Sequence, residues 1–362
     1  MSARGTTHPA LAAWTALRAS GTARGVLVTL VRADGGAARG LGARFALADD
    51  ERTFGSVTVG GCADGRALEA ARRVLASGAA EQVTLPVSEA DAVALGLGCA
   101  GDVDLLVERV ALGGDRDPVA EALDAAAAAV EDGAGVTLLV PLEGGGRLLL
   151  LADGTLRGSL GDPGRDVAAA ALAAALHAAP AKERARAAIH VHDGARWFVE
   201  PLAPLRTLLV VGATEIAAAL CAFAQPLGWR TVLLDPRDEL LVQPRFALAT
   251  ERVPSIPAEV VAARMRGAGA PAVVVVAHDY RVELPVLRAA LAGDAVYVGM
   301  LGSRKRGDTV RAMLAEDGLD PARVARLRTP IGLPIGAEGP AEIAVSIVAE
   351  LVAAWRGVAT RP

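Results

Sequence analysis

Hydrophobic and polar positions along the chain follow two regimes that meet near residue 200. In the first, short apolar runs bounded by Gly and Asp turns alternate with helical stretches. Arg24–Val31 reads as a strand ending in a turn at Asp34-Gly-Gly. Ala43–Leu47 and Thr53–Val57 read as two more, joined around Asp49-Asp50. Asp64–Ala76 has helical periodicity with Gly78 as its stop. Leu105–Val110 is the next strand and Pro118–Val130 an Ala-rich helix. Gly135–Val140 and Arg147–Leu151 are strands joined by Glu143-Gly-Gly-Gly, and Asp166–Ala178 is a helix. Ala188–Val191 and Arg196–Glu200 form a hairpin around Asp193-Gly194. This half is expected to be a mixed α+β domain over residues 1–200, closed by a linker at Pro201–Pro204, and no internal repeat is visible in it.

The second regime, residues 205–362, is regular. Apolar strand cores at Leu208–Val211, Arg230–Leu234, Ala272–Val276 and Ala295–Val298 alternate with helices. The helices fall at Glu215–Gln225, Pro257–Arg266 (Ser255 as cap), Leu284–Leu291, Arg304–Glu316 and Ala341–Trp355. Near-continuous apolar strands alternating with helices imply a parallel sheet covered on both faces, so the fold expected is a Rossmann-like, doubly wound α/β domain.

Composition narrows the class. Hydrophobic residues make up 52% and charged residues 22% of the 362, which excludes disorder. A net charge of −4 argues against a nucleic-acid partner. Three cysteines do not make a disulfide scaffold and fit a reducing compartment. With no basic-apolar leader pattern and no long uninterrupted apolar run, a cytoplasmic chain without a membrane span is expected.

Candidate chemistry lies mostly in glycine-rich turns. Leu208–Ala217 has the strand, turn and helix start of a dinucleotide fingerprint. Gly212 and Ala217 fit, but Thr214 stands where a bare backbone normally meets the pyrophosphate, and Glu215 adds a negative charge there. Asp235 ends the next strand, where a carboxylate would accept ribose hydroxyls. His278 with Asp279 and Tyr280, and Gly302-Ser303 with Arg304, Lys305 and Arg306, follow later strands. The last group reads either as an anion site or as a solvated basic turn. In the first half Cys62 follows Gly60-Gly61 and precedes a helix, a setting that lowers a thiol pKa. It reads either as a soft thiolate ligand suited to late metals and to sulfur transfer, or as a small buried hydrophobe. Cys99 sits in a second glycine-rich loop, and Cys221 inside a helix reads as packing. His190, His192 and Asp193 make at most an incomplete metal site.

Several of these motifs together resemble the XdhC/CoxI family, accessory proteins of xanthine dehydrogenase and carbon monoxide dehydrogenase maturation. They are Gly55-Ser-Val-Thr-Val-Gly-Gly-Cys62, Gly96-Leu-Gly-Cys99-Ala-Gly101, Asp235-Pro-Arg237, Ala277-His-Asp279, Tyr297–Arg304, Thr329–Ala337 and Pro340–Glu350. The resemblance runs from about Gly25 to about Ala354. It implies a protein that binds molybdenum cofactor (molybdopterin), assists its sulfuration and inserts it into a molybdenum hydroxylase apoenzyme. A cysteine desulfurase would be a further partner. Such a chaperone-like role requires no turnover, so whether the chain is an enzyme stays open. On this reading Cys62, with Cys99, contacts the metal or its sulfido ligand. Arg39 and the backbone from Gly55 and Ser56 to Gly60 and Gly61 hold the pterin phosphate. Gly212, Asp235, Arg237, His278, Gly302, Ser303 and Arg304 form a second binding region.

Two other functions compete. One is an NAD(P)-dependent oxidoreductase with Asp235 on the ribose and His278 or Tyr280 moving the proton. The other is a non-catalytic regulatory scaffold that binds no small molecule. The Ala-rich helices and the apolar final helix make a homodimer an expectation under any of the three.

Overall fold

The computed structural model describes residues 7–34, 39–58, 63–85, 101–114, 117–266 and 270–360. The chain divides into two compact units, Thr7–Pro204 and Leu205–Pro362.

The first unit begins with helix α1 (Ala12–Arg18). It continues through β1 (Arg24–Ala33), β2 (Arg44–Ala48), β3 (Thr53–Gly55), α2 (Asp64–Ser77), β4 (Glu81–Leu85) and β5 (Val103–Ala111). Then come α3 (Pro118–Glu131), β6 (Val136–Pro141), β7 (Leu148–Leu151) and β8 (Leu156–Gly158). The unit closes with α4 (Pro163–Ala178), β9 (Ala188–His192) and β10 (Ala195–Leu202). Local chemistry sets the helix ends. Asp117 and Asp162 cap α3 and α4, each followed by a proline whose missing N–H costs nothing in the first turn. Gly78 stops α2 at φ 77°, donating to the Val74 carbonyl.

The strands form two five-stranded sheets, ordered β3-β2-β1-β5-β4 and β8-β7-β6-β10-β9, and neighbouring strands in them run antiparallel. α2 covers one face of the first sheet through Ala67, Ala70, Ala71 and Val74. A core of β1, β5, α3, β6 and β10 side chains, with Trp14, Leu106, Leu123, Leu138 and Phe198 at its centre, joins the two sheets. Two buried ion pairs cross between them. Arg44 of β2 forks onto Glu200 of β10, and Arg147 beside β7 reaches Glu108 of β5.

The second unit holds β11 (Thr207–Val211), α5 (Glu215–Ala224), β12 (Arg230–Leu234), β13 (Glu251–Val253) and α6 (Pro257–Arg264). It continues with β14 (Ala272–Val275), α7 (Tyr280–Ala292), β15 (Tyr297–Met300), α8 (Arg304–Glu316), β16 (Leu327–Arg328) and α9 (Pro340–Arg356). The six strands are parallel in the order β13-β12-β11-β14-β15-β16. Counted from β11 this is the 3-2-1-4-5-6 order of the doubly wound dinucleotide-binding fold. Side chains alternate between two cores: Leu208, Val210 and Val274 face α5 and α9, while Leu209, Val211 and Val275 face α7 and α8.

Several expectations need correction. Pro201 and Leu202 belong to β10, paired with Thr137 and Val136, so only Ala203 and Pro204 follow the strand. α7 starts at Tyr280, capped by Asp279, and not at Leu284, and it carries Pro285 inside it. α6 has Ile256, not Ser255, at its N-cap and ends at Arg264. β15 begins at Tyr297, where pairing with Ala272 begins, and not at Ala295. The short edge strands β4, β8, β13 and β16 and helix α1 carry too few periodic positions to stand out in sequence.

Candidate functional site

In the first unit, β1 runs antiparallel to β2 and β5, β2 antiparallel to β3, and β5 antiparallel to β4. β1, β3 and β4 therefore point the same way, and the connections leaving their ends emerge at one end of the sheet. These three connections contain Arg39, Cys62 and Cys99 respectively. Gly60, Gly61, Cys62 and Cys99 lie outside the described residues. Arg39 is exposed, and its Nη1 donates to the Ser56 carbonyl at 3.3 Å while its backbone N–H reaches the Val57 carbonyl. The rest of its guanidinium has no partner among the described residues. Gly55 has φ 75°, and a Cβ there would overlap the Arg44 carbonyl, so only glycine closes this strand end. Ser56 Oγ donates to the Thr58 carbonyl and accepts from its N–H. Asp64, at the start of α2, accepts from the Val57 N–H at 3.3 Å. Arg39, Gly55 and Ser56 are thus brought together by direct contacts.

The second candidate region lies along the carboxyl edge of the parallel sheet, where open α/β folds place their ligands. Gly212, Asp235, His278, Gly302 and Ser303 all follow strands there. A Cβ on Gly212 (φ 107°) would lie 2.8 Å from the Ala277 backbone nitrogen, so the turns after β11 and β14 touch. The donors of the Gly212 turn, however, have internal partners. Gly212 N–H donates to Leu234, Ala213 N–H to Asp235 Oδ2 at 2.8 Å, and Thr214 N–H to Gly212. Thr214 Oγ1 caps α5 by accepting from Ala217 N–H. A pyrophosphate arriving here would have to displace these bonds.

Asp235 does not present a free carboxylate to a ribose. Oδ1 accepts from the Arg237 backbone and Nε, and Oδ2 accepts from Ala213 and Arg237 Nη2. Its four lone-pair directions are filled. Burial on its own would raise the carboxyl, but the Arg237 side chain and the two backbone N–H groups outweigh it and hold Asp235 below the usual carboxylate range. In this arrangement Asp235 fixes the turn, with Arg237 as its clamp.

After β15, Ser303 caps α8 by accepting from Arg306 N–H. Arg304 and Lys305 are exposed. Arg306 is committed elsewhere: Nη2 donates to Glu283 at 2.6 Å, Nη1 to the Leu301 carbonyl at 3.1 Å, and its guanidinium lies 4.9 Å from the Tyr280 ring centre. Glu283 is completely buried and Oε1 has no partner among the described residues, an arrangement hidden in sequence because the apolar periodicity starts only at Leu284, one residue beyond it. Burial pushes its carboxyl above the ordinary value, offset in part by Arg306 and His278. His278 is exposed, and Asp279 is spent on capping α7 and pairing with Arg281.

Cys221 packs in the core, where burial pushes its thiol up to about 11. Among the described residues no group of three or more His, Cys, Asp or Glu side chains is placed to hold a metal ion, so His190, His192 and Asp193 form no such site. No helix among them is long and apolar enough to cross a membrane.

Comparison with known proteins places this architecture. Residues 208–351 match the profile described as the XdhC Rossmann domain, and residues 18–86 that of the XdhC and CoxI family. A Bacillus subtilis protein described as a probable xanthine dehydrogenase subunit is 26% identical over 92% of this chain and 94% of its own length. The uncharacterized protein YqeB of Escherichia coli is 27% identical over 40% of this chain and 26% of its own length. The crystal structure of a xanthine dehydrogenase from Bacillus halodurans superposes with a TM-score of 0.73 at 23% identity, covering 95% of this chain and 94% of that one, which shows the shared fold. With one profile matched in each unit, the chain belongs to the XdhC and CoxI family.

Proposed function

We propose that this chain receives molybdenum cofactor, supports its sulfuration by a cysteine desulfurase, and delivers it to a xanthine dehydrogenase-type apoenzyme. The observation that carries this reading is that β1, β3 and β4, the strands that precede Arg39, Cys62 and Cys99 in the chain, end on the same side of the first sheet. A phosphate on the pterin suits the exposed Arg39 guanidinium, which is anchored through one nitrogen and keeps further donors for a bidentate contact. A thiolate at Cys62, just before α2, is a soft ligand of the kind molybdenum and its sulfido group accept. The second unit has a candidate anion site of its own at Gly302, Ser303 and Arg304, with Lys305 beside them and His278 on the neighbouring strand end. Its glycine turn is satisfied internally, which favours a carrier over an NAD(P)-dependent oxidoreductase. Binding and release account for the role, and no turnover is needed.

The test is client maturation. A xanthine dehydrogenase-type apoenzyme is produced with this chain, without it, or with its Cys62→Ala variant, and hydroxylase activity and cyanide-releasable sulfur are measured per molybdenum. The proposal expects both to fall at unchanged client polypeptide when the chain is absent or altered. Equal maturation by the parent and Cys62→Ala chains would contradict it.

A further inference from the structure

The two sheets of the first unit are the same object built twice. Their strand orders correspond position by position, each with a helix between its third and fourth strands and another before its first. The registers correspond as well. In the first sheet Phe45 faces both Val28 and Gly55, Leu27 faces Glu108, and Leu85 faces Val103. In the second, Leu148 faces both Leu139 and Gly158, Leu138 faces Glu200, and His192 faces Ala195.

The match extends to single hydrogen bonds. In the β2–β3 turn, Ala48 N–H donates to Arg52, Glu51 N–H to Ala48, and Arg52 N–H to the Asp50 side chain. In the β7–β8 turn, Leu151 donates to Thr155, Gly154 to Leu151, and Thr155 to the Asp153 side chain. Glu51 holds the left-handed φ of 68° that Gly154 holds at 87°. Asp64 accepts from Val57 as Asp166 does from Leu160. Arg44–Val57 therefore aligns with Arg147–Leu160 without a gap, retaining Arg, Leu47/Leu150, Asp50/Asp153 and Gly-Ser. The ion pairs follow the same relation. Arg44 and Arg147 are equivalent, Glu108 and Glu200 are equivalent, and each arginine reaches the glutamate of the other copy. That reciprocity is what a two-fold interface between like modules produces.

The copies differ at one end. After β1 the first copy spends residues 34–43 where the second spends 142–147; after β4 it spends 86–102 where the second closes on Asp193-Gly194. After the third strand, the second copy begins its helix with a further turn, Pro163–Arg165. In the first copy the helix starts directly at Asp64. At the opposite end the β2–β3 and β7–β8 turns, residues 49–52 and 152–155, are equal in length.

We infer that the first unit is an internal duplication in which only the first copy is specialised to hold the ligand, at the end where β1, β3 and β4 terminate. The second copy is its structural counterpart, the partner that a like module would otherwise supply. The ligand side of this inference rests on the proposed carrier role; the duplication does not.

Three full-length variants test it. The first replaces residues 86–102 by Asp-Gly, the connection that joins the equivalent strands β9 and β10. The second replaces residues 58–63 with the sequence of 161–165, and the third makes the converse replacement in the second copy. Circular dichroism and thermal midpoint report folding. Retained molybdenum and pterin fluorescence after anaerobic loading with molybdenum cofactor report the ligand. The inference expects all three to fold, the first two to lose at least tenfold in retained cofactor, and the third to retain it like the parent. Unfolding of both copy-one variants would overturn the equivalence. Full retention by those variants, or equal loss in the third, would overturn the specialisation. A parent chain that retains no cofactor would sink the carrier role, and with it the ligand side of the inference, while the folding results still decide the duplication.

Discussion

Replacing Arg44 by methionine leaves Glu200 as an uncompensated charge where the two sheets of the first unit meet. Arg44 and Glu200 are 3% and 2% exposed, so water cannot take over the carboxylate. Arg44 Nη1 also donates to the Ala10 and Gly42 carbonyls at 2.7 and 3.0 Å, and both lose their donor. Breaking a buried pair from one side costs ~3–5 kcal/mol. The two orphaned carbonyls add about 1 kcal/mol each at most, since carbonyls tolerate partial satisfaction. Removing both charges together, Arg44→Met with Glu200→Leu, leaves no buried charge, and such replacements are often neutral or stabilising by ~1–4 kcal/mol relative to the pair. The double variant is therefore expected to recover most of the loss. Urea unfolding followed by tryptophan fluorescence resolves this in a Trp229→Phe/Trp355→Phe background, where Trp14 and Trp197 report the first unit alone. A single variant within about 1 kcal/mol of its parent, or a double variant as unstable as the single, would refute the burial argument.

Further outcomes follow from individual contacts. Gly42→Ala drives a Cβ into Glu200 Oε1 at φ 86°, so in urea unfolding it should destabilise the first unit by more than the ~1–2 kcal/mol of left-handed strain alone. Burial holds the His8 imidazole below its ordinary 6.5, with Arg44 lowering it and Glu200 opposing. The unfolded chain then takes up the proton first, so stability is complete above pH 6.5 and declines below it; thermal melts of His8→Asn against pH should lose part of that decline. Thr214→Ala removes the cap of α5 and should cost the second unit ~1 kcal/mol in urea unfolding. Asp235→Ala strips the acceptor from Ala213 N–H and should cost about 1–3 kcal/mol, read in the same way.

Much of the second unit is legible in sequence because buried parallel strands are continuous apolar runs and their helices carry caps. Arg304–Glu316 and Arg230–Leu234 coincide with the structure at both ends. Errors arise where the apolar run does not mark the element's end, as at α7, which Asp279 caps and starts at Tyr280, ahead of the expected Leu284. The duplication is obscure in sequence because it is preserved in register and in a few polar anchors, not in the apolar residues between them. Phe45, Ala46 and Ala48 stand opposite Leu148, Leu149 and Leu151, which a core accepts equally well. The glycine turn shows the limit of motif reading. Thr214 and Glu215 are visible as departures in the chain, but the filled lone pairs of Asp235 appear only once Arg237 and Ala213 are placed in space.

The central claim, that the first unit carries molybdenum cofactor at the end bearing Cys62, is tested most directly by retention. The purified chain and its Cys62→Ala variant are loaded anaerobically with the cofactor and desalted, and bound molybdenum and pterin are quantified per chain. The account predicts near-stoichiometric retention by the parent and a clear drop in the variant. No retention by the parent, or equal retention by both, would contradict it.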